Sequence, residues 1–209
     1  MFIKTVVVGE LDTNCYIVGD RNSLAVIDPG ADARKIINAI KGTGTFLTGP
    51  EGIKETASVI ILTHAHPDHT GAVAEVCGEL KGFIYMHTLD SEWLKEIFGS
   101  KFPGMRNVED GGILKIGEIS FCVWHTPGHT EGSICLYNEK EKILFSGDTL
   151  FAEGVGRTDL QGGDEKKLVH SLKRILSLPD EIRIYPGHGE PTTLGKEREF
   201  LNGYLKTSG

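Results

Sequence analysis

The chain has 209 residues, 39% of them hydrophobic and 24% charged, and a formal net charge of −7. That balance fits one ordinary globular domain over residues 1–209 and argues against disorder. Lys and Arg are scattered rather than clustered, which gives nucleic-acid binding no support, and the longest apolar runs, TVVV and SVIIL, are far too short to cross a membrane. The N-terminal MFIKTVVVGELDTN lacks the long apolar core and small-residue cleavage site of a signal peptide, so a cytoplasmic protein is expected. Cys15, Cys77, Cys122 and Cys135 form no CxxC pair and are expected to be reduced thiols.

In chain order, strands are predicted over 2–8, 14–20 and 24–29, punctuated by Gly, Asp and Asn. A short amphipathic helix follows over 31–42, with apolar residues at 36, 37 and 40 and Gly42 at its C-terminal end. The segment 43–57, TGTFLTGPEGIKETA, carries no clear period. SVIILT (58–63) reads as a strand covered on both faces. Residues 67–80 have helical spacing, with Pro67 where proline is tolerated. Then come a strand (82–87) and a helix (88–98) with Thr88 as its candidate cap. Four strands are predicted at 113–116, 119–125, 133–138 and 142–147. A helix (164–178), a strand (181–186) and a closing helix (194–205) complete the chain. Two sheets packed face to face, with helices outside, satisfy this order.

THAHPDHTG, residues 63–71, places His64, His66, Asp68 and His69 within six positions at the end of a buried strand. In extended chain, residues two apart point the same way, so His64 and His66 can reach one metal ion from one side. Asp68 and His69 follow Pro67 and point elsewhere, at a remove on the order of the ~3.5–4 Å between paired catalytic metals. Three more strand ends carry ligand-type residues beside glycine: His129 in VWHTPGHTEGS, Asp148 in ILFSGDTLF and His188 in IRIYPGHGEPT. A loop His or Asp is commonplace by itself; three such loops beside the first cluster are not.

THAHPDHTGA, TPGHTEGS, FSGDTLF and PGHGEP resemble the ordered motifs of the metallo-β-lactamase superfamily over nearly the whole chain. GDTLFAEGVGRTDLQGGD resembles, more narrowly, the glyoxalase II branch, the hydroxyacylglutathione hydrolases, in its compact bacterial form without an added C-terminal helical domain. The resemblance implies an α/β fold, a four-layer αββα sandwich with the metals at one edge between the sheets. It implies that His64, His66 and His129 hold one metal, that Asp68, His69 and His188 hold the other, and that Asp148 bridges them. Asp68 and Asp148 are then the catalytic carboxylates. Two divalent ions are implied, zinc by the imidazole-rich ligand set, with iron or manganese as alternatives.

The reaction implied is thioester hydrolysis by a metal-bound hydroxide, so neither a Ser nor a Cys nucleophile is needed, Cys135 included. Arg157 falls where glyoxalase II proteins carry a basic residue that contacts the thiol carrier, which makes it the substrate-binding residue. Asp159 is a candidate to orient a ligand histidine. Tyr16, Phe151 and Tyr185 are placed in the core or along the pocket. Larger glyoxalase II enzymes complete the glutathione site with added C-terminal helices absent from this sequence, so the implied substrate is hydroxyacyl-glutathione or a related thioester.

The second enzymatic reading is a mononuclear iron persulfide dioxygenase, which would need only part of this ligand set. A secreted β-lactamase and a nucleic-acid-processing relative are disfavoured by the absence of a signal sequence and of a basic surface. A non-enzymatic, metal-stapled binding module is the reading from a different class, and the full set of seven ligand-type residues speaks against it.

Overall fold

The computed structural model describes residues 1–20, 23–44, 57–98 and 104–207. One six-stranded sheet runs, in spatial order, through β1 (Phe2–Val8), β2 (Thr13–Gly19), β3 (Ser23–Ile27), β4 (Ala57–Ile61), β5 (Phe83–His87) and β6 (Met105–Val108). Its first three strands are antiparallel and the rest add in parallel. A second sheet begins with β7 (Ile113–Ile116), β8 (Ile119–His125), β9 (Ile134–Asn138) and β10 (Ile143–Gly147). A small hairpin of β11 (Leu150–Phe151) and β12 (Gly154–Val155) stands apart. The second sheet is completed by β13 (Arg183–Pro186) and β14 (Thr192–Thr193), in the order β14-β13-β10-β9-β8-β7.

The helices are α1 (Ala33–Lys41), α2 (Pro67–Thr70), α3 (Val73–Leu80), α4 (Thr88–Phe98), α5 (Glu165–Ile175) and α6 (Leu194–Thr207). Strand periodicity sorts side chains among three apolar layers. On β2, Cys15 and Ile17 pack towards the helices, whereas Tyr16 and Val18 face the second sheet. On β4, Ile60 faces the helices while Val59 and Ile61 lie between the sheets. The outer layer over the first sheet takes Ile36 and Ile40 from α1, Val73, Val76 and Leu80 from α3, and Leu94 from α4. On the far side, Cys135 and Leu144 meet Leu168, Leu172 and Ile175 of α5 and Leu201 of α6. The result is the four-layer αββα sandwich. Truncating a fully buried residue such as Ile60 to Ala would cost about 2–5 kcal/mol.

Several elements differ from their sequence expectations. The helix expected over 67–80 is two helices, because the chain passes tightly over Gly30 between them: a Cβ on Gly71 would lie 2.5 Å from the Gly30 carbonyl oxygen. Thr88 is the first residue of α4 rather than its cap, and its hydroxyl donates to Glu109. The strand β6 and the hairpin β11–β12 have no counterpart in the predicted order. Most of the unplaced segment, residues 45–56, lies outside the described residues. All four cysteines are free thiols, and burial raises the Cys135 thiol to about 11, unfit for a nucleophile.

Candidate metal centre

The C-terminal ends of the inner strands meet at one edge of the sandwich, where the ligand-type residues gather. His64 and His66 leave the end of β4, and Asp68 and His69 lie on α2. His129 sits in the turn between β8 and β9, Asp148 after β10 and His188 after β13. A register shift between Phe145 and Gly147 redirects the chain just before Asp148. Gly147 has φ +48°, and a Cβ there would lie 2.6 Å from Thr63 Oγ1, so glycine allows the close approach of β10 to the β4 end.

Two groups result. One ring nitrogen each from His64, His66 and His129 lie within 4.8 Å of one another, as do one ligand atom each from Asp68, His69 and His188. Asp148 reaches both: Oδ2 is 3.5 Å from His129 Nε2 and 3.5 Å from His188 Nε2, and Oδ1 is 3.3 Å from His69 Nε2. All seven ligand-type residues singled out in the sequence are brought together.

Hydrogen bonds behind the cluster fix the ring tautomers. His129 Nδ1 lies 2.8 Å from the Arg157 carbonyl, and His188 Nδ1 lies 2.9 Å from the Leu11 carbonyl. A carbonyl only accepts, so both Nδ1 atoms carry the proton. His69 Nδ1 faces the Asp28 carboxylate at 2.9 Å. Thr63 Oγ1 gives its single hydrogen to Asp28 at 2.7 Å and so accepts from His64 Nδ1 at 3.0 Å. With these protons committed outward, Nε2 of His64, His69, His129 and His188 points into the cluster, while among the described residues no outward bond fixes the tautomer of His66. His129 Nε2 then faces His66 Nδ1 at 2.8 Å, and His69 Nε2 faces His188 Nε2 at 3.3 Å. His64 Nε2 and Asp148 Oδ1 are buried with no hydrogen-bond partner among the described residues. Such an arrangement needs positive charge at its centre, and the residues fit divalent cations. The imidazole-rich set suits zinc or iron better than magnesium or calcium.

Protons are the competing source of that charge. Burial, reinforced by His69, holds His64 well below the usual histidine range, and burial with His129 lowers His66 to about 4. These rings are neutral and ready to ligate. The other group differs. Burial opposes protonation of His69, but Asp148 and Asp28 overcome it and raise this ring well above the ordinary value. The hydrogen bond to Asp68 likewise raises His188. Asp68 is held low by His188 and His69, and Asp148 by His69 and His129, against burial that acts the other way in both.

Arg157 meets the cluster through its backbone. Its backbone carbonyl orients His129, while its exposed guanidinium makes a bidentate pair with Asp159, both bonds 2.7 Å. Asp159 therefore orients no ligand histidine. Tyr16 is core, its hydroxyl donating to the Pro186 carbonyl at 2.6 Å, and Tyr185 packs beside it. The ring of Phe151 lies 6.1 Å from that of His188, at the edge of the cluster.

Two buried carboxylates escaped the sequence reading. Asp28, at φ +51° after β3, binds the Thr63 amide at 2.8 Å as well as Thr63 Oγ1 and His69. Like Asp148 it ends an apolar strand, but Pro29 follows it and no glycine adjoins it. Asp90, on the first turn of α4, binds Ala65 and the His129 turn.

A family model, the metallo-beta-lactamase superfamily, matches residues 8–188. The chain belongs to the metallo-beta-lactamase superfamily. It is 32% identical over 219 residues to the hydroxyacylglutathione hydrolase GloC of Haemophilus influenzae, covering 97% of this chain and 99% of that one. Among solved structures it is similar to the B3 metallo-beta-lactamase BLEG-1, with a TM-score of 0.82, 35% identity and coverage of 97% of this chain and 100% of that one. It is also similar to TTHA1623, solved in a di-iron-bound form, with a TM-score of 0.77, 38% identity and coverage of 94% and 98%. With its His/Asp metal-binding cluster, this member of the superfamily is a metal-dependent hydrolase. Among the described residues, no helix is long and apolar enough to cross a membrane.

Proposed function

We propose that the chain is a binuclear thioester hydrolase of the glyoxalase II type, a single-domain cytoplasmic enzyme acting on hydroxyacyl-glutathione or a related small-molecule thioester. One observation carries the reading: two ligand groups lie side by side with the Asp148 carboxylate reaching into both. His64, His66 and His129 would hold one ion, Asp68, His69 and His188 the other, with Asp148 within reach of both. Zinc is the first choice of metal, with iron or manganese as alternatives.

Two bound cations would supply Lewis acidity towards the thioester carbonyl and would lower the pKa of a bound water towards ~7. The chain's own residues do the rest. Asp28, Thr63, Leu11 and Arg157 hold the imidazoles in the ligating tautomer from behind. Asp68 and Asp148, ionised in the resting site, orient the attacking water, and one of them takes up its proton and returns it to the leaving sulfur. The water oxygen joins the acyl carbon, the C–S bond breaks, and the sulfur leaves as a thiolate that is then protonated. Phe151 offers an apolar edge beside His188, and Arg157 can exchange Asp159 for a carboxylate of the thiol carrier.

The second reading is the mononuclear iron persulfide dioxygenase, favoured by the neutrality of His64 and His66 in the three-histidine group, which could hold a single ion alone. A substrate panel on metal-analysed protein separates the two: a hydroxyacyl-glutathione thioester, an uncharged thioester, a lactone, a β-lactam and a glutathione persulfide. Thiol release from the thioesters without oxygen uptake is the expected result. Oxygen uptake with the persulfide and inert thioesters would overturn the proposal in favour of the second reading. A chain that binds metal and turns over nothing would instead be a stapled binding module.

A further inference from the structure

Asp90 is 2% exposed and makes three hydrogen bonds, none within its own helix. Oδ2 accepts from the Ala65 amide at 2.8 Å and from Thr130 Oγ1 at 2.8 Å, while Oδ1 accepts from the Gly132 amide at 2.6 Å. Ala65 lies between His64 and His66, and Thr130 follows His129. One carboxylate thus fastens the turn that carries two histidines of a ligand group to the turn that carries the third. The Thr130 hydroxyl, having given its hydrogen to Asp90, accepts from Ser133 Oγ at 2.7 Å, and that oxygen accepts the Thr130 amide at 3.0 Å. Gly132 is fitted to the carboxylate, since a Cβ there would lie 2.5 Å from Asp90 Oδ1. The same helix bears Trp93, whose ring stands edge-on to His66 at 5.6 Å.

We infer that Asp90 is a positioning residue for the three-histidine group, and that its carboxylate fixes the spacing of His66 and His129 and so sets how tightly that group holds a divalent cation. The inference rests on the reading above, in which this group binds an ion. The carboxylate is specifically required. Three donors converge on its two oxygens, and an amide of the same shape has one acceptor oxygen and turns an NH₂ group against a donor. A hydrogen-bond partner behind a metal ligand typically contributes 10–100-fold in affinity.

The test measures zinc affinity by chelator competition, and cobalt(II) visible spectra, for the wild type, Asp90→Asn, Thr130→Val and Thr130→Ser, with His129→Ala marking the ion of the three-histidine group. Asp90→Asn is expected to weaken that ion by about 10–100-fold and to leave any second ion within about 2-fold. Thr130→Val, which keeps both amide bonds to Asp90, should weaken the same ion less, and Thr130→Ser should restore it. If Asp90→Asn does not fold by circular dichroism, the Thr130 pair decides. Wild-type affinity in the folded variants, or equal loss of both ions, would overturn the inference. A wild type that binds only one ion would refute the binuclear reading alone, and the inference would stand or fall on whether the variants weaken that ion. A wild type that binds no divalent cation would overturn both.

Discussion

Asp28 Oδ2 lies 2.9 Å from His69 Nδ1, and both side chains are fully enclosed by the end of the first sheet. The same carboxylate accepts from the Thr63 amide and hydroxyl. Asp28→Ala would therefore leave a buried amide unpaired, at a cost of about 1–3 kcal/mol in denaturant unfolding. It should also weaken the ion held by Asp68, His69 and His188 by about 10–100-fold in chelator competition. Unchanged affinity would show that His69 is oriented by something else.

Asp148 reaches nitrogens of both groups, whereas His129 belongs to one. Asp148→Ala should lower metal content by both ions and abolish thioester turnover, while His129→Ala should lower it by one. Mass-spectrometric metal analysis of the dialysed proteins checks this. Loss of the same single ion in both variants would remove the bridging role.

The two groups should respond differently to acid. His69 and His188 are raised, so each keeps a proton to a higher pH than an ordinary histidine near ~6.5, and a cation must displace it. Affinity at that group should climb with pH through the neutral range, with proton release on binding. His64 and His66 are lowered, and therefore already neutral there. Dialysis from pH 8 to pH 5 should remove the ion of the Asp68, His69 and His188 group first. Prior loss from the three-histidine group would contradict this order.

Arg157 and Asp159 are both largely exposed, at 61% and 66% of their side chains, so their pairing is easily exchanged. Arg157→Ala should raise KM for glutathione thioesters with little change in kcat, and spare small uncharged thioesters. The carbonyl that orients His129 is retained in this variant, so metal content should hold. Asp159→Asn should free the guanidinium and lower KM for the carboxylate-bearing substrates alone. Equal effects on both substrate classes would make the pair a loop support.

The ligand-type residues were legible because each follows an apolar strand and lies in a short glycine-bearing motif, and HxHxDH declares itself locally. Asp28 and Asp90 were not, because their partners are distant in sequence and only the folded chain shows them. The layers were legible from the order of strands and helices and from SVIILT, a run apolar on both faces, as befits a strand whose two faces meet different cores. The strand β6, with sequence MRNV, was not, since two of its four residues are exposed and polar and it borders only β5. The division between α2 and α3 was hidden as well, because it depends on Gly30 lying against Gly71. Arg157 illustrates the remaining gap: sequence marked its side chain, whereas the structure gives its carbonyl the contact with the cluster.

The most direct test is a titration of zinc into chelator-stripped protein, with hydrolysis of a hydroxyacyl-glutathione thioester followed at each addition. The expected result is thiol release that climbs to a plateau at two zinc ions per chain. A plateau at one ion, or two bound ions with no thioester hydrolysis, would contradict the binuclear thioesterase.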